Sequence, residues 1–481
     1  MGGGTGGMGG MDMPVGSVVP EIVLIVGAVV TLVFALFAPR RAQPGAAVLA
    51  LVTLTVAAVA SAAMLGGAQD LTFFDTYAAD DVAVWLKLVL LAVAAVTVAL
   101  SVEWFGSDAR QGEYYSLLLL STLGAVVLAG ASDLMAVILG LLLSSATGYV
   151  LAAYHRGDPR SGEAAMKYYL LGALTNAGLV YGAVLLFGLG ATTTLAGLAG
   201  ALPGADSVAL VAGTGLMVLG LAFKLGAVPA HAWVPDVAEG APAPVAAFLT
   251  VAPKLGALVA LGRLALTLPE ADVGWRALVA ALAAATMTLG NLAALGQDDV
   301  RRLLGWSAVS QSGYGLMAVA ALGRSDLAVA ALVYFLAAYA LANLAAFGVV
   351  VELRGRTERS AYAGLARARP ILALVLVLSL LSLVGVPPLA GFGAKLLLFG
   401  AAVDAGLAWL AVVAVVNSVI SLAYYLRVLA PSYFEPLAGP VPVLGRWAGL
   451  ATLVCGAGVV ALGIAAEPLL EPLSVARLLP G

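Results

Sequence analysis

Runs of about twenty apolar residues, separated by short polar connections, recur from one end of the chain to the other. Fourteen can be counted, near 18–37, 44–66, 82–102, 114–131, 134–154, 164–188, 207–230, 243–267, 275–296, 303–322, 327–351, 370–400, 406–430 and 443–466. A helix of that length spans the hydrocarbon core of a bilayer. The short alternating segments of a membrane barrel do not occur. The pattern therefore predicts an all-α polytopic membrane protein with about 14 transmembrane helices and no soluble domain between them.

The charges add a topology. Connections after odd-numbered segments hold fourteen arginines, among them Arg40, Arg160, Arg302 and Arg359, while those after even-numbered segments and the tails hold four. That positive-inside bias places both termini outside and the 352–369 connection in the cytoplasm. The acidic loop with Asp70, Asp75, Asp80 and Asp81 falls outside.

Composition narrows the class further. Of 481 residues, 62% are hydrophobic and 10% charged, with a mean hydropathy of +1.06. The net charge of −3 and the lack of a basic patch argue against nucleic-acid binding. Cys455 is the only cysteine, which excludes an intrachain disulfide and a cysteine-ligated cluster. No His, Cys or carboxylate grouping has metal-ligand spacing, and no phosphate loop or dinucleotide fingerprint appears. The glycine-rich opening lacks the basic start of a signal peptide and reads as a flexible tail.

The candidate chemistry lies in the lysines. Every arginine sits in a connection or near a segment end, whereas all five lysines, Lys87, Lys167, Lys224, Lys254 and Lys395, fall within apolar segments. Arginine keeps its charge at any accessible pH; a lysine withdrawn from water can release its proton. An ion at membrane depth is costly, so Lys224, Lys254 and Lys395 read as functional groups. Lys167 follows Glu163 by one helical turn, and a simple Glu–Lys pair is an equal reading. Lys87 reads as structural, paired with Asp80 or Asp81. His231, at the cytoplasmic end of the seventh segment, could pass protons between water and Lys224, or be an interfacial histidine beside Trp233. Pro229 in the seventh segment, and Pro387 with Pro388 in the twelfth, predict broken helices. The two segments lie five spans apart and so cross in opposite directions, as inverted repeats require.

The run Phe223-Lys224-Leu225, Val228-Pro229, His231, Trp233, Pro235-Asp236-Val237, Glu239-Gly240-Ala241-Pro242 and Ala252-Pro253-Lys254 resembles the subunit N family of bacterial NADH-quinone oxidoreductase, respiratory complex I. Lys167-Tyr168, Asn291-Leu292, Gly313-Tyr314 and the segment from Pro387 to Lys395 continue the likeness over roughly 110–430. The resemblance implies an antiporter-like fold of fourteen helices with two inverted five-helix repeats. On that layout the chain divides into a tail (1–17), three helices (18–112), repeats at 113–268 and 274–431, and a last helix with its tail (442–481). It also implies a chain of central lysines, matched here by Lys224, Lys254 and Lys395 with Lys167 in the sixth span, carrying protons across a bacterial cell membrane. Quinone reduction elsewhere in the complex would drive that movement. NADH, FMN, iron–sulfur clusters and quinone would belong to partner subunits, with no cofactor in this chain. Its partners would be the lipid bilayer and other membrane subunits, including further antiporter-like ones.

Two positions depart from the family's pattern. Leu142 stands where the fifth span of the family carries a glutamate, and Gln311 where the tenth often carries a histidine. Three readings stay open: a proton-carrying subunit, a non-pumping scaffold paralogue, and an antiporter-type subunit of a cation/proton exchanger or membrane hydrogenase.

Overall fold

A computed structural model describes residues 15–478 apart from 68, 109, 156 and 438. Residues 1–14 of the anticipated tail lie outside the described part; Val15–Val18 already form a 3-10 turn leading into the first helix.

The N-terminal unit comprises α1 (Val19–Phe37), α2 (Gly45–Ala62) and α3 (Asp81–Ser101), with a hairpin of β1 (Asp70–Thr72) and β2 (Tyr77–Ala79) before α3. The hairpin is antiparallel, Leu71 facing Ala78. Next come α4 (Gln111–Gly130), α5 (Leu134–Ala152), α6 (Pro159–Gly190) and the short α7 (Leu195–Ala201). They are followed by α8 (Ser207–Leu225), α9 (Trp233–Gly240), α10 (Ala243–Leu249), α11 (Ala252–Thr267) and the turn α12 (Glu270–Val273). The second half holds α13 (Trp275–Leu295), α14 (Val300–Ala321), α15 (Leu327–Glu352), α16 (Leu365–Ala368), α17 (Pro370–Val384), α18 (Ala390–Asp404) and α19 (Ala408–Phe434). The chain closes with α20 (Arg446–Ile464) and α21 (Glu467–Leu473).

Among the described residues, twelve helical stretches are long and apolar enough to cross a membrane. Two of the fourteen anticipated spans fall outside that number for physical reasons. α14 carries Ser307, Ser310, Gln311, Ser312 and Tyr314 along its length and is too polar. The twelfth span is split, α17 ending at Val384 and α18 beginning at Ala390.

The two halves repeat one packing scheme. α4 packs on α5 and α11, as α13 packs on α14 and α19; α6 packs on α8 and α9, as α15 packs on α17 and α18. The split elements end alike. Gly226 (φ 66°) and Gly385 (φ 96°) cap α8 and α17 in the left-handed region, which an L side chain rarely adopts. Prolines follow within three residues, at Pro229 and at Pro387 and Pro388, and cannot continue the helix.

The seventh segment departs from its anticipated outline. Its helix stops at Leu225, and the stretch 231–242 is not a plain connection, because Trp233–Gly240 forms a helix whose Trp233, Val234, Val237 and Ala238 are fully buried. α9 is thus a second leg of a broken span. The eighth segment is interrupted as well, between α10 and α11. At that step the Thr250 carbonyl accepts from Tyr339 (2.7 Å), and the Thr250 hydroxyl, which donates to the Ala246 carbonyl, accepts from Asn343 (2.9 Å), both of α15.

Candidate functional site

Lys224 lies in the last turn of α8, fully buried. Its Nζ reaches the Ser145 hydroxyl of α5 at 3.2 Å and the Tyr168 hydroxyl of α6 at 3.4 Å. Lys254 opens α11, 2% exposed, and donates to the Ala308 carbonyl of α14. Its amine stands over the Tyr339 ring at 5.8 Å and close to Gly226, in the break that follows Lys224. Lys395, on α18 and 4% exposed, donates to the Val384 carbonyl (2.9 Å) and the Ser418 hydroxyl (3.0 Å). Tyr314 lies under its amine at 4.2 Å. Val384 is the last residue of α17, so the Lys395 amine sits at the negative end of a helix dipole.

α14 joins the two broken spans. The Ser312 hydroxyl donates to the Leu225 carbonyl at the end of α8 (2.5 Å), and Gln311 Nε2 donates to the Leu383 carbonyl near the end of α17 (3.1 Å). Neighbouring residues of one polar helix thus hold carbonyls released by both breaks. This role explains why the tenth span fails as a hydropathy peak. Among the described residues, all partners of the three lysines are neutral oxygens and none is a carboxylate.

Other anticipated residues fall elsewhere. Lys167 is 46% exposed and forms ion pairs with Glu163 (2.7 Å) and Asp236 (3.0 Å), apart from the buried line. Arg302 joins that cluster through Asp236 (2.6 Å) and Glu239 (2.9 Å). His231, half-buried, lies between the two legs of the broken span, beside Trp306 at 5.6 Å. Pro229 lies in the same connection, and Pro387 with Pro388 in the one between α17 and α18. Leu142 turns to the outer surface, 41% exposed, and it is Ser145 that meets Lys224.

Lys87 is fully buried and pairs with Glu21 of α1 (2.8 Å) rather than with Asp80 or Asp81. Tyr77 also donates to Glu21. Asp80 is engaged by Arg263, and Asp81 accepts from Gln69 at 2.6 Å. The hydroxyl partners of the lysines were not singled out from sequence. A Ser or Tyr inside an apolar run is too common to stand out, and only the fold brings these to the amines.

Broken helices facing each other across a polar central helix, with lysine amines at the breaks, define an antiporter-like ion-translocating membrane subunit. The family described as NADH:quinone oxidoreductase/Mrp antiporter, TM, matches residues 131–421. The chain is 44% identical over 461 residues to NADH-quinone oxidoreductase subunit N 1 of Streptomyces griseus, covering 95% of this chain and 97% of that one. It is 41% identical over 452 residues to subunit N of Mycobacterium sp. strain JLS, covering 93% and 96%. A chain of respiratory complex I from Thermus thermophilus with bound aureothin matches with a TM-score of 0.80 at 31% identity, over 95% of this chain and 100% of that one. A chain of the Mrp complex from Dietzia sp. shares the fold, with a TM-score of 0.84 at 22% identity over 96% and 97%. The protein belongs to the subunit N family of NADH-quinone oxidoreductase.

Proposed function

We propose that Lys224, Lys254 and Lys395 carry protons across the bilayer, with α14 as the bridge between them. The observation that supports this most is the double attachment of α14, Ser312 to the end of α8 and Gln311 to the end of α17. Each lysine can gain or release a proton because no fixed counter-ion holds it charged. A transfer at one break alters the charge next to a helix end that the same polar helix secures at the other. Unpaired buried polar atoms along this line, Ser310 Oγ and Trp306 Nε1, suit ordered water. His231 Nδ1, also buried and unpaired, offers a further stop within the first break.

In this reading quinone reduction in partner subunits drives the movement, and NADH, FMN and iron–sulfur clusters reside there. The chain works beside other antiporter-like subunits in a bacterial cell membrane, both termini outside. Lys167, tied to two carboxylates at the surface, stands apart from the centre of the route. The same lack of ion pairs favours a second reading, in which the chain is a scaffold that does not pump. Reconstitution of the assembled complex in vesicles, with Lys224, Lys254 or Lys395 replaced by alanine, separates the two. A lower proton-to-electron ratio supports transfer; an unchanged ratio in all three supports the scaffold.

A further inference from the structure

A groove of about 1030 Å³ opens between α5 and α6 at the end of the bundle where these helices meet. Its mouth carries Asp108, Arg110, Glu113 and His155, and its inner wall reaches Tyr149. Tyr149 lies one helical turn inside the end of α5, and Ser145 one turn deeper. Tyr149 and Ser145, four residues apart, share one face of α5, and the Tyr149 hydroxyl accepts from Asn176 Nδ2 at 3.4 Å. Ser145 in turn meets the Lys224 amine at 3.2 Å. Hydroxyls therefore lead from a charged, open groove to a fully buried lysine.

The other approach to Lys224 is closed. Tyr168 stacks on Trp233 with ring centroids 4.2 Å apart, and Phe223 packs against both at 5.6 Å. This aromatic trio fills the α9 side, toward the Lys167, Asp236 and Arg302 cluster. Small residues keep the α5 side open: a Cβ on Gly172 would lie 1.8 Å from the Tyr149 hydroxyl, so only glycine leaves that oxygen its place.

We propose that Tyr149 and Ser145 form a lateral proton relay that loads Lys224 from the α5–α6 groove, in a span with no carboxylate to do so. The inference rests on the proton-carrying role of Lys224. A protonated water in the groove gives a proton to the Tyr149 oxygen, leaving neutral water, as that hydroxyl gives its own to Ser145. Ser145 in turn gives its own to the Lys224 amine, which becomes an ammonium. Each hydroxyl gains one proton and loses one, and rotation about its C–O bond resets it. Leu142 lines the continuation of the groove beside Tyr149 and Asn176, so a carboxylate placed there would face the start of the relay.

The test compares proton uptake into vesicles by the reconstituted complex, at matched NADH oxidation, for Lys224→Ala, Tyr149→Phe, Ser145→Ala and Ser145→Thr. The relay predicts that Tyr149→Phe and Ser145→Ala fall to the uptake of Lys224→Ala, while Ser145→Thr, which keeps a hydroxyl, stays within about twofold of the parent. Uptake by Tyr149→Phe and Ser145→Ala equal to the parent, with Lys224→Ala impaired, overturns the relay and leaves the lysine's role intact. An unimpaired Lys224→Ala overturns both. If Tyr149→Phe fails to assemble, the serine pair decides alone: equal loss in Ser145→Ala and Ser145→Thr contradicts the relay.

Discussion

Asp80 and Arg263 form an ion pair from which water is fully excluded. Two guanidinium nitrogens meet the two carboxylate oxygens at 2.6 and 2.9 Å, and both residues are 0% exposed. Arg263 Nε also donates to the Ala129 carbonyl at 3.2 Å. One pair thus ties the start of α3 to the end of α4 and to the last turns of α11, fastening the N-terminal unit onto the first half. Removing one partner leaves a buried charge uncompensated, which costs about 3–5 kcal/mol, whereas replacing both by apolar residues is often neutral. Asp80→Leu or Arg263→Met alone should lower the unfolding midpoint in detergent well below that of the double variant. Equal losses in all three would show that the pair's charges are not what matters.

The break between α17 and α18 leaves no room for a side chain at Gly391, where a Cβ would stand 1.7 Å from the Ser382 carbonyl oxygen. Gly391→Ala must push the two legs apart, at an overpacking cost of about 1–3 kcal/mol. The expected result is a lower thermal midpoint together with slower pumping, because Lys395 shares that break. Gly200, with open space around it, is the control at which alanine should change neither.

Gln311 offers a test of the bridge. Gln311→Leu removes the donor to the Leu383 carbonyl and leaves a buried acceptor unpaired, a loss of about 1–3 kcal/mol. Proton pumping should fall with it. Gln311→His, which keeps a donor, should hold pumping nearer the parent. Equal pumping in Gln311→Leu and the parent would detach α14 from the transfer.

A pH dependence follows from His155, between α5 and α6. Its ring stacks on Trp104 with centroids 6.1 Å apart and accepts from the Trp104 indole at 3.4 Å. Burial holds its pKa below the ordinary 6.5. The neutral form is therefore favoured on folding. Its contribution is complete above about pH 6.5, the unfolded value, and is lost as pH falls through the lower folded value. The thermal midpoint should drop between about pH 7 and pH 5, and the drop should shrink in His155→Gln, which cannot titrate.

Much of this architecture is legible in the chain, because apolar runs and glycine–proline pairs are local signals. The end of α8 at Gly226 and the gap around Pro387 and Pro388 lie where those residues forbid a continuous helix. α9 is not legible in the same way. Its Asp236 and Glu239 and the surrounding prolines read as a loop, while one face, with Trp233 and Val237, is buried against α6 and α14. The pairs Glu21 with Lys87 and Asp80 with Arg263 join residues far apart in sequence, and no local pattern announces them. The lysines could be picked out because a charge in an apolar run is conspicuous. The roles of Ser145, Tyr168 and Ser418 as their partners could not, since a hydroxyl carries meaning only once its neighbour is known.

The central claim is that Lys224, Lys254 and Lys395 share one polar route. An electron cryo-microscopy map of the assembled complex that resolves ordered water tests it most directly. A continuous chain of water and hydroxyls should run from Ser145 and Lys224, past Lys254 and along α14, to Lys395 and Ser418. Dry apolar packing between any two of these amines, or an amine turned outward to lipid headgroups, would contradict the account.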